Sequence, residues 1–398
     1  MTNMIATPKK KFAVGFPTKC IFGCGILNDL HTYEMPGKKA MICTTGEPFY
    51  DELGYISRLQ EQLKLAGIDS IIFDEVRPNP VKEIVMAGGE AARKNGCDFL
   101  MSFGGGGCHD ATKAISVAAT NLGDIWDYIS DGTGKGKPIT NNPLPVVAIT
   151  LTAGTGSETN GGAVINNLET NEKLSLKSST VNMFPQLCVV DPELMVSVPP
   201  KATAMMGFDA MTHAFEAYFS INANYISDTY AVACIEHIYA FLPRAVANGK
   251  DLEAREHVAI GAHLAGRAMH HGALGLHSME HALSGYYPKL PHGLGLAMLF
   301  RAYYLKLVNA HETDDRFIRM ARAMGKHGTE DPMDFIVAMD ELFAATGLDN
   351  AKMSEFGITP DDFDRFIKAA HLMERLMLQE RPMLSDDDWM DVLRDSYK

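Results

Sequence analysis

The sequence has 398 residues, 46% hydrophobic and 21% charged, which excludes a disordered chain and leaves apolar surface for a large core. Asp and Glu outnumber Lys and Arg by 49 to 36, a formal charge of -13, which argues against a nucleic-acid partner held on a broad basic surface. The seven Cys are scattered without a CxxC pair, so neither a disulfide scaffold nor a thiolate zinc site is signalled. The opening MTNMIATPKKKF lacks the apolar run of a secretory signal, and no stretch approaches 18 uninterrupted apolar residues. A cytoplasmic protein with no membrane partner is expected.

Residues 39–44 (KAMICT) read as a buried strand, 51–66 as an amphipathic helix ended by Gly67, and 70–73 as a second strand. A second helix follows over 81–95, then strands over 98–103, 145–150 and 187–190 (LCVV). Strands alternating with helices predict right-handed βαβ units and a parallel, Rossmann-like sheet. Residues 163–166 and 173–177 fit a small hairpin around LETNE. After Pro199 and Pro200 helical periodicity takes over, at 209–220, 227–247, 252–269, 276–284, 314–324, 331–346, 360–370 and 386–397. The expected fold class is an α/β domain of the nucleotide-binding type, residues 1–198, followed by an all-helical domain, 199–398. The cleft between two such domains is the default place for a site.

Four glycines, 104–107, separate the strand at 98–103 from a helix beginning near Cys108. Such a run lets the backbone approach a phosphate, and the helix N-terminus turns free N–H groups towards it. It is neither GxGxxG nor a Walker A loop. Residues 150–158 (TLTAGTGSE) follow another strand and offer hydroxyl and N–H groups to a polar ligand. In the helical half, Asp209 and His213 are four apart, as are His277 and His281, and His292 follows in a PHG turn. Residues four apart share a helix face, so one carboxylate and up to four imidazoles suit a divalent transition metal. Residues 277–281 also match HxxEH, the inverted zincin pattern, in which Glu280 would be the water-activating base of a zinc metallopeptidase. That reading leaves the glycine run without a purpose.

Taken together the motifs resemble the iron-containing (group III) alcohol dehydrogenases, the family of lactaldehyde reductase, 1,3-propanediol dehydrogenase and butanol dehydrogenase. The likeness runs nearly end to end. It begins at PTKCIFGCGILNDL (17–30), a version of the family's opening hairpin, and passes through RPNP (77–80), FGGGGCHDATKAI (103–115), TAGTGSE (152–158) and VVDPEL (189–194). GFDAMTHAFEAY (207–218), LGLHSMEH (274–281), PHG (291–293) and ERPMLSDDDWMDVLRDSY (380–397) complete it. The resemblance implies a dehydroquinate synthase-like architecture and a metal, Fe²⁺ with Zn²⁺ as the other candidate, held by Asp209, His213, His277 and His292. It makes His281 a catalytic neighbour of nicotinamide and substrate. It assigns the cofactor to Gly105, Gly106, Gly107, Asp110, Thr152, Thr155 and Lys173, with Asn79 on the adenosine side. A homodimer or larger homo-oligomer is also implied.

The implied reaction is reversible hydride transfer between NAD(P)H and a short-chain aldehyde or ketone, whose carbonyl the metal polarises. The departures from the family pattern refine this. Gly107 replaces a usual Ser, and Leu151 stands where Thr is common. Thr45 stands where NAD-preferring members carry an Asp for the ribose hydroxyls, so NADPH should be tolerated. Glu280 replaces a small residue. His270 and His271 are unusual before GALGLH, and with Arg267 they are candidates for contact with a polar or anionic substrate tail. A dehydroquinate synthase-like lyase is a further alternative, but its substrate demands a basic pocket that the sequence does not offer.

Overall fold

The computed structural model describes residues 8–269 and 273–398. The chain forms two compact units. One comprises Gly15–Thr152 and Gly156–Ser197, and the other Val198–Lys398 with Ala153–Thr155 and the described N-terminal residues up to Val14.

The first unit carries strands β1 (Lys19–Phe22), β2 (Lys39–Cys43), β3 (Asp69–Phe73), β4 (Phe99–Gly104), β5 (Val146–Thr150), β6 (Ala163–Asn167), β7 (Glu172–Leu176) and β8 (Leu187–Val190). Six of them form one parallel sheet in the order β1-β8-β5-β4-β2-β3, as the alternation of strands and helices predicts. Strands β4, β5 and β8 are buried at every residue, as expected of a parallel sheet covered on both faces. Helices α1 (Pro48–Glu52), α2 (Tyr55–Leu65), α3 (Lys82–Lys94) and α4 (Gly106–Thr120) connect the strands, and β6 and β7 pair antiparallel as the expected hairpin. The opening segment differs from expectation. It is not a hairpin: β1 pairs in parallel with β8, and the chain then turns through Gly25 (φ 74°) into a 3₁₀ helix, Ile26–Thr32.

The second unit is helical, with α5 (Pro200–Phe219), α6 (Tyr225–Ala247), α7 (Leu252–Ala268), α8 (Gly275–Tyr286), α9 (His292–Asn309), α10 (Asp314–Ala323), α11 (Asp334–Thr346), α12 (Phe363–Ala370), α13 (Glu374–Met377) and α14 (Asp386–Ser396). Helix α5 starts nine residues before the periodic pattern. Pro200 sits where its missing N–H costs nothing and its fixed φ suits a first turn. Helix α9 has no counterpart among the predicted helices. It is apolar on nearly every face and packs its Phe300 and Tyr304 into a ring cluster with Phe215, Phe219, Phe317 and Phe335, so it offers no amphipathic stripe. Among the described residues no helix is long and apolar enough to cross a membrane.

Candidate metal centre and cofactor loops

Helix α5 places Asp209, His213 and Glu216 on one face through the i, i+4, i+7 spacing. Helix α8 begins at Gly275 and presents His277 in its first turn and His281 one turn later. His292 lies not in a turn but at the first position of α9, behind Pro291. These elements bring ligand atoms of Asp209, His277 and His292 within 4.8 Å of one another, and His213 approaches the same carboxylate. Asp209 Oδ1 lies 3.4 Å from His292 Nε2, 3.5 Å from His277 Nε2 and 3.8 Å from His213 Nδ1. Donors each about 2.1 Å from a shared cation would be separated by about 3.0–3.5 Å. Asp209 Oδ1, His213 Nδ1 and His277 Nε2 are buried and have no hydrogen-bond partner among the described residues. Buried polar atoms in folded proteins generally find partners, and three such atoms clustered on one carboxylate and two imidazoles fit a divalent cation.

Two glycines permit this convergence. A Cβ on Gly293 would collide with the backbone carbonyl of Met205 on α5, and a Cβ on Gly275 would collide with the Glu380 carboxyl group and the Trp389 ring. The first turns of α8 and α9 therefore come close to their neighbours only because no side chain intervenes.

Behind the donors stand two fully buried carboxylates. Glu216 Oε2 accepts from His277 Nδ1 at 2.6 Å, and Glu216 also accepts from the backbone N–H groups of Leu274 and His277 at 2.8 and 3.1 Å. Glu280 accepts from His292 Nδ1. A carboxylate on Nδ1 fixes the tautomer and leaves Nε2 as the basic nitrogen, which here faces Asp209. Burial works against the charged form of His277, yet Glu216 and Asp209 hold it up at about 10. Burial pushes His213 down to about 4 against the pull of Asp209. Burial also works against the Asp209 carboxylate, but the surrounding histidines keep it well below the usual carboxylate range. Asp209, Glu216 and Glu280 thus bring three buried carboxyl groups to the imidazoles of one site.

Glu216 is the residue that the sequence reading missed. Its signal was available as the third member, at i+7, of the face already carrying Asp209 and His213. Glu280, set in the HxxEH reading as a water-activating base, is instead sealed from solvent against the ring of His292, so the peptidase reading loses its base. Replacing Glu280 by Ala should lower metal affinity about 10- to 100-fold, the usual cost of losing a carboxylate behind a metal histidine. Chelator competition on the purified protein measures it, and an affinity equal to that of the native chain would contradict the role.

His281 is half-buried, its ring centroid 5.5 Å from that of His292 and 6.3 Å from that of His277. Arg267 donates through Nε to His263 Nε2 at 2.9 Å. His270 and His271 lie outside the described residues.

In the other unit, β4 runs through Gly104 into Gly105, which caps α4 in an extended conformation and offers no capping side chain. The N-terminus of α4 is thus formed by Gly106 and Gly107, with the helix dipole behind them. A Cβ on Gly105 would sit 2.9 Å from Thr152 Oγ1, and one on Gly107 would sit 3.6 Å from the backbone nitrogen of Asn79, itself at φ 54°. Asp110 commits its two oxygens to Ser157 Oγ and the N–H of Val164. Lys113 is fully buried; its Nζ donates to Ser157 O and Oγ and to Asn160 Oδ1 at 3.0, 2.7 and 3.2 Å. Together these two residues tie the Ser157–Asn160 segment to α4. Lys173 is a buried residue of β7, and Thr45 follows the end of β2. Thr155 belongs to the helical unit.

Comparison with known proteins places this geometry in a family. The family description "Iron-containing alcohol dehydrogenase" matches residues 17–192, and "Fe-containing alcohol dehydrogenase family, C-terminal" matches residues 203–397. The chain is 34% identical over 377 residues to the NAD-dependent methanol dehydrogenase of Bacillus methanolicus, covering 93% of this chain and 95% of that one. It is 36% identical over 333 residues to the 1,3-propanediol dehydrogenase of Citrobacter freundii, covering 82% and 83%. Among solved structures, an archaeal halo-thermophilic Red Sea brine pool alcohol dehydrogenase superposes with a TM-score of 0.91 at 29% identity, over 98% of this chain and 99% of that one. The sulfoacetaldehyde reductase of Bifidobacterium kashiwanohense, solved in complex with NAD+, gives 0.84 at 26% identity over 97% and 98%.

Proposed function

Because the chain belongs to the iron-containing alcohol dehydrogenase family and is an oxidoreductase of the alcohol dehydrogenase/aldehyde reductase type, we propose that it interconverts a short-chain aldehyde or ketone and its alcohol with NAD(P)H. The helical unit is its metal-binding and catalytic domain, with Asp209, His213, His277 and His292 holding Fe²⁺ or Zn²⁺. The observation that carries this reading is the approach of His213, His277 and His292 to Asp209, with Asp209 Oδ1, His213 Nδ1 and His277 Nε2 buried and lacking a hydrogen-bond partner among the described residues.

When bound, the cation would lend Lewis acidity to the substrate carbonyl and the nicotinamide would supply the hydride. The chain's own residues do the rest. Glu216 and Glu280 hold the imidazoles of His277 and His292 in the tautomer that presents Nε2. His281, beside His292, is placed to hold or pass the proton that accompanies reduction. The N–H groups of Gly106 and Gly107 orient the cofactor pyrophosphate, and Thr152 and Lys173 line the same site. Thr45, uncharged, leaves room for a 2′-phosphate. Relatives and neighbours acting on methanol, 1,3-propanediol and sulfoacetaldehyde point to a small substrate, with Arg267 as our candidate contact for an anionic tail.

A screen of small aldehydes at 340 nm, with NADH and NADPH and with protein loaded separately with Fe²⁺ and Zn²⁺, tests the proposal. Turnover is expected with at least one pairing. Stoichiometric metal binding without turnover under any pairing would overturn it.

A further inference from the structure

We propose that Arg77 anchors the 2′-phosphate of NADPH, so that the chain selects the phosphorylated cofactor with a cation instead of merely tolerating it. This rests on the nucleotide reading above.

Strands β2 and β3 are parallel neighbours with Cys43 opposite Phe73, so their carboxyl ends lie side by side. Backbone bonds from Thr44 N–H to Phe73 O and from Val76 N–H to Thr44 O keep the two exits together. Arg77 is stapled across them. Its Nη1 donates to the carbonyls of Thr45, Asp74 and Val76 at 3.1, 3.0 and 2.8 Å. All three bonds use one nitrogen, which leaves Nη2 and Nε for a further acceptor. Arg77 is exposed, and its hydrogen bonds among the described residues go to carbonyls and not to a carboxylate.

The three residues that follow connect this guanidinium to the glycine turn. A Cβ on Gly107 would lie 3.5 Å from Pro80 and 3.6 Å from the nitrogen of Asn79. β2 is in turn the sheet neighbour of β4, which feeds the glycines. In parallel nucleotide-binding sheets the adenosine ribose lies at the end of the strand next to the glycine turn. An acidic side chain there takes the ribose hydroxyls, and an arginine nearby takes a 2′-phosphate. Here that strand leads into the uncharged Thr45, with a fixed guanidinium hydrogen-bonded to its carbonyl. The planar fork of Arg suits a phosphate's two oxygens. A carboxylate on this edge belongs to Asp74, whose Cβ would lie 3.2 Å from a Cβ on Gly46. A ribose held by Asp74 would favour the unphosphorylated cofactor, and the test separates the two.

Calorimetric titration of the metal-loaded protein with adenosine 2′,5′-bisphosphate and with 5′-AMP reads the phosphate directly, with no turnover involved. The native chain should bind the bisphosphate about tenfold or more tighter, the scale of a charge-assisted bond. Arg77→Met should abolish that margin and leave AMP affinity unchanged, whereas Arg77→Lys, which keeps the charge without the fork, should retain part of it. Equal affinities in the native chain, or an Arg77→Met variant that weakens both nucleotides alike, would overturn the assignment while AMP binding stands. Failure of the native chain to bind either nucleotide would remove the nucleotide reading itself.

Discussion

The His277→Ala variant is expected to fold, to keep little metal through dialysis, and to lose about three orders of magnitude in kcat/KM, the equivalent of several kcal/mol of Lewis-acid stabilisation. His277 is the donor with most of the surrounding structure behind it. Its Nε2 lies 3.5 Å from Asp209 Oδ1, and its Nδ1 is held by Glu216. The fold should survive because Glu216 would still accept from the backbone N–H groups of Leu274 and residue 277, which the substitution leaves in place. Metal content by elemental analysis and turnover at 340 nm check it together. A variant that keeps both native metal content and native turnover would remove His277 from the ligand set.

The Gly293→Ala variant should do comparable damage by a different route. The new methyl would meet the main chain of Met205, which cannot rotate away as a side chain could. Relief requires α9 to move off α5, and His292 starts α9 while Asp209 lies on α5. The strain should cost about 1–3 kcal/mol of stability, the usual range for overpacking. The displaced His292 should also weaken metal retention. Thermal unfolding with and without added metal separates the two effects, and a native melting temperature with native metal affinity would contradict the steric argument.

Much of this molecule was legible in its sequence. The parallel sheet follows from short apolar runs alternating with amphipathic helices, and its five central and distal strands were placed within a residue or so. Strand β1 was hidden because KCIF is short and partly exposed, and only its pairing with β8 makes it a strand. Helix α9 was hidden for the opposite reason: a helix buried all round loses the periodic stripe by which helices are recognised. The candidate metal donors were readable because helical spacing puts Asp209 with His213. The carboxylates behind them were not, since Glu216 and Glu280 acquire meaning only when α5, α8 and α9 bring them to a histidine on another element or turn. Lys113 shows the same limit. A lysine in an otherwise apolar helix reads as a solvated residue until the Ser157–Asn160 segment closes over it.

The donors come from three helices, and 68 positions of chain separate Asp209 from His277. A cation gripping all of them would act as a cross-link between α5, α8 and α9 as well as a reagent. Ligands that bind only the folded form shift the unfolding equilibrium in its favour, and proteases attack the opened one. Stripped of its ion, such an enzyme would still fold but would open more often, so a metal-starved cell would clear the inert protein faster through its own turnover machinery.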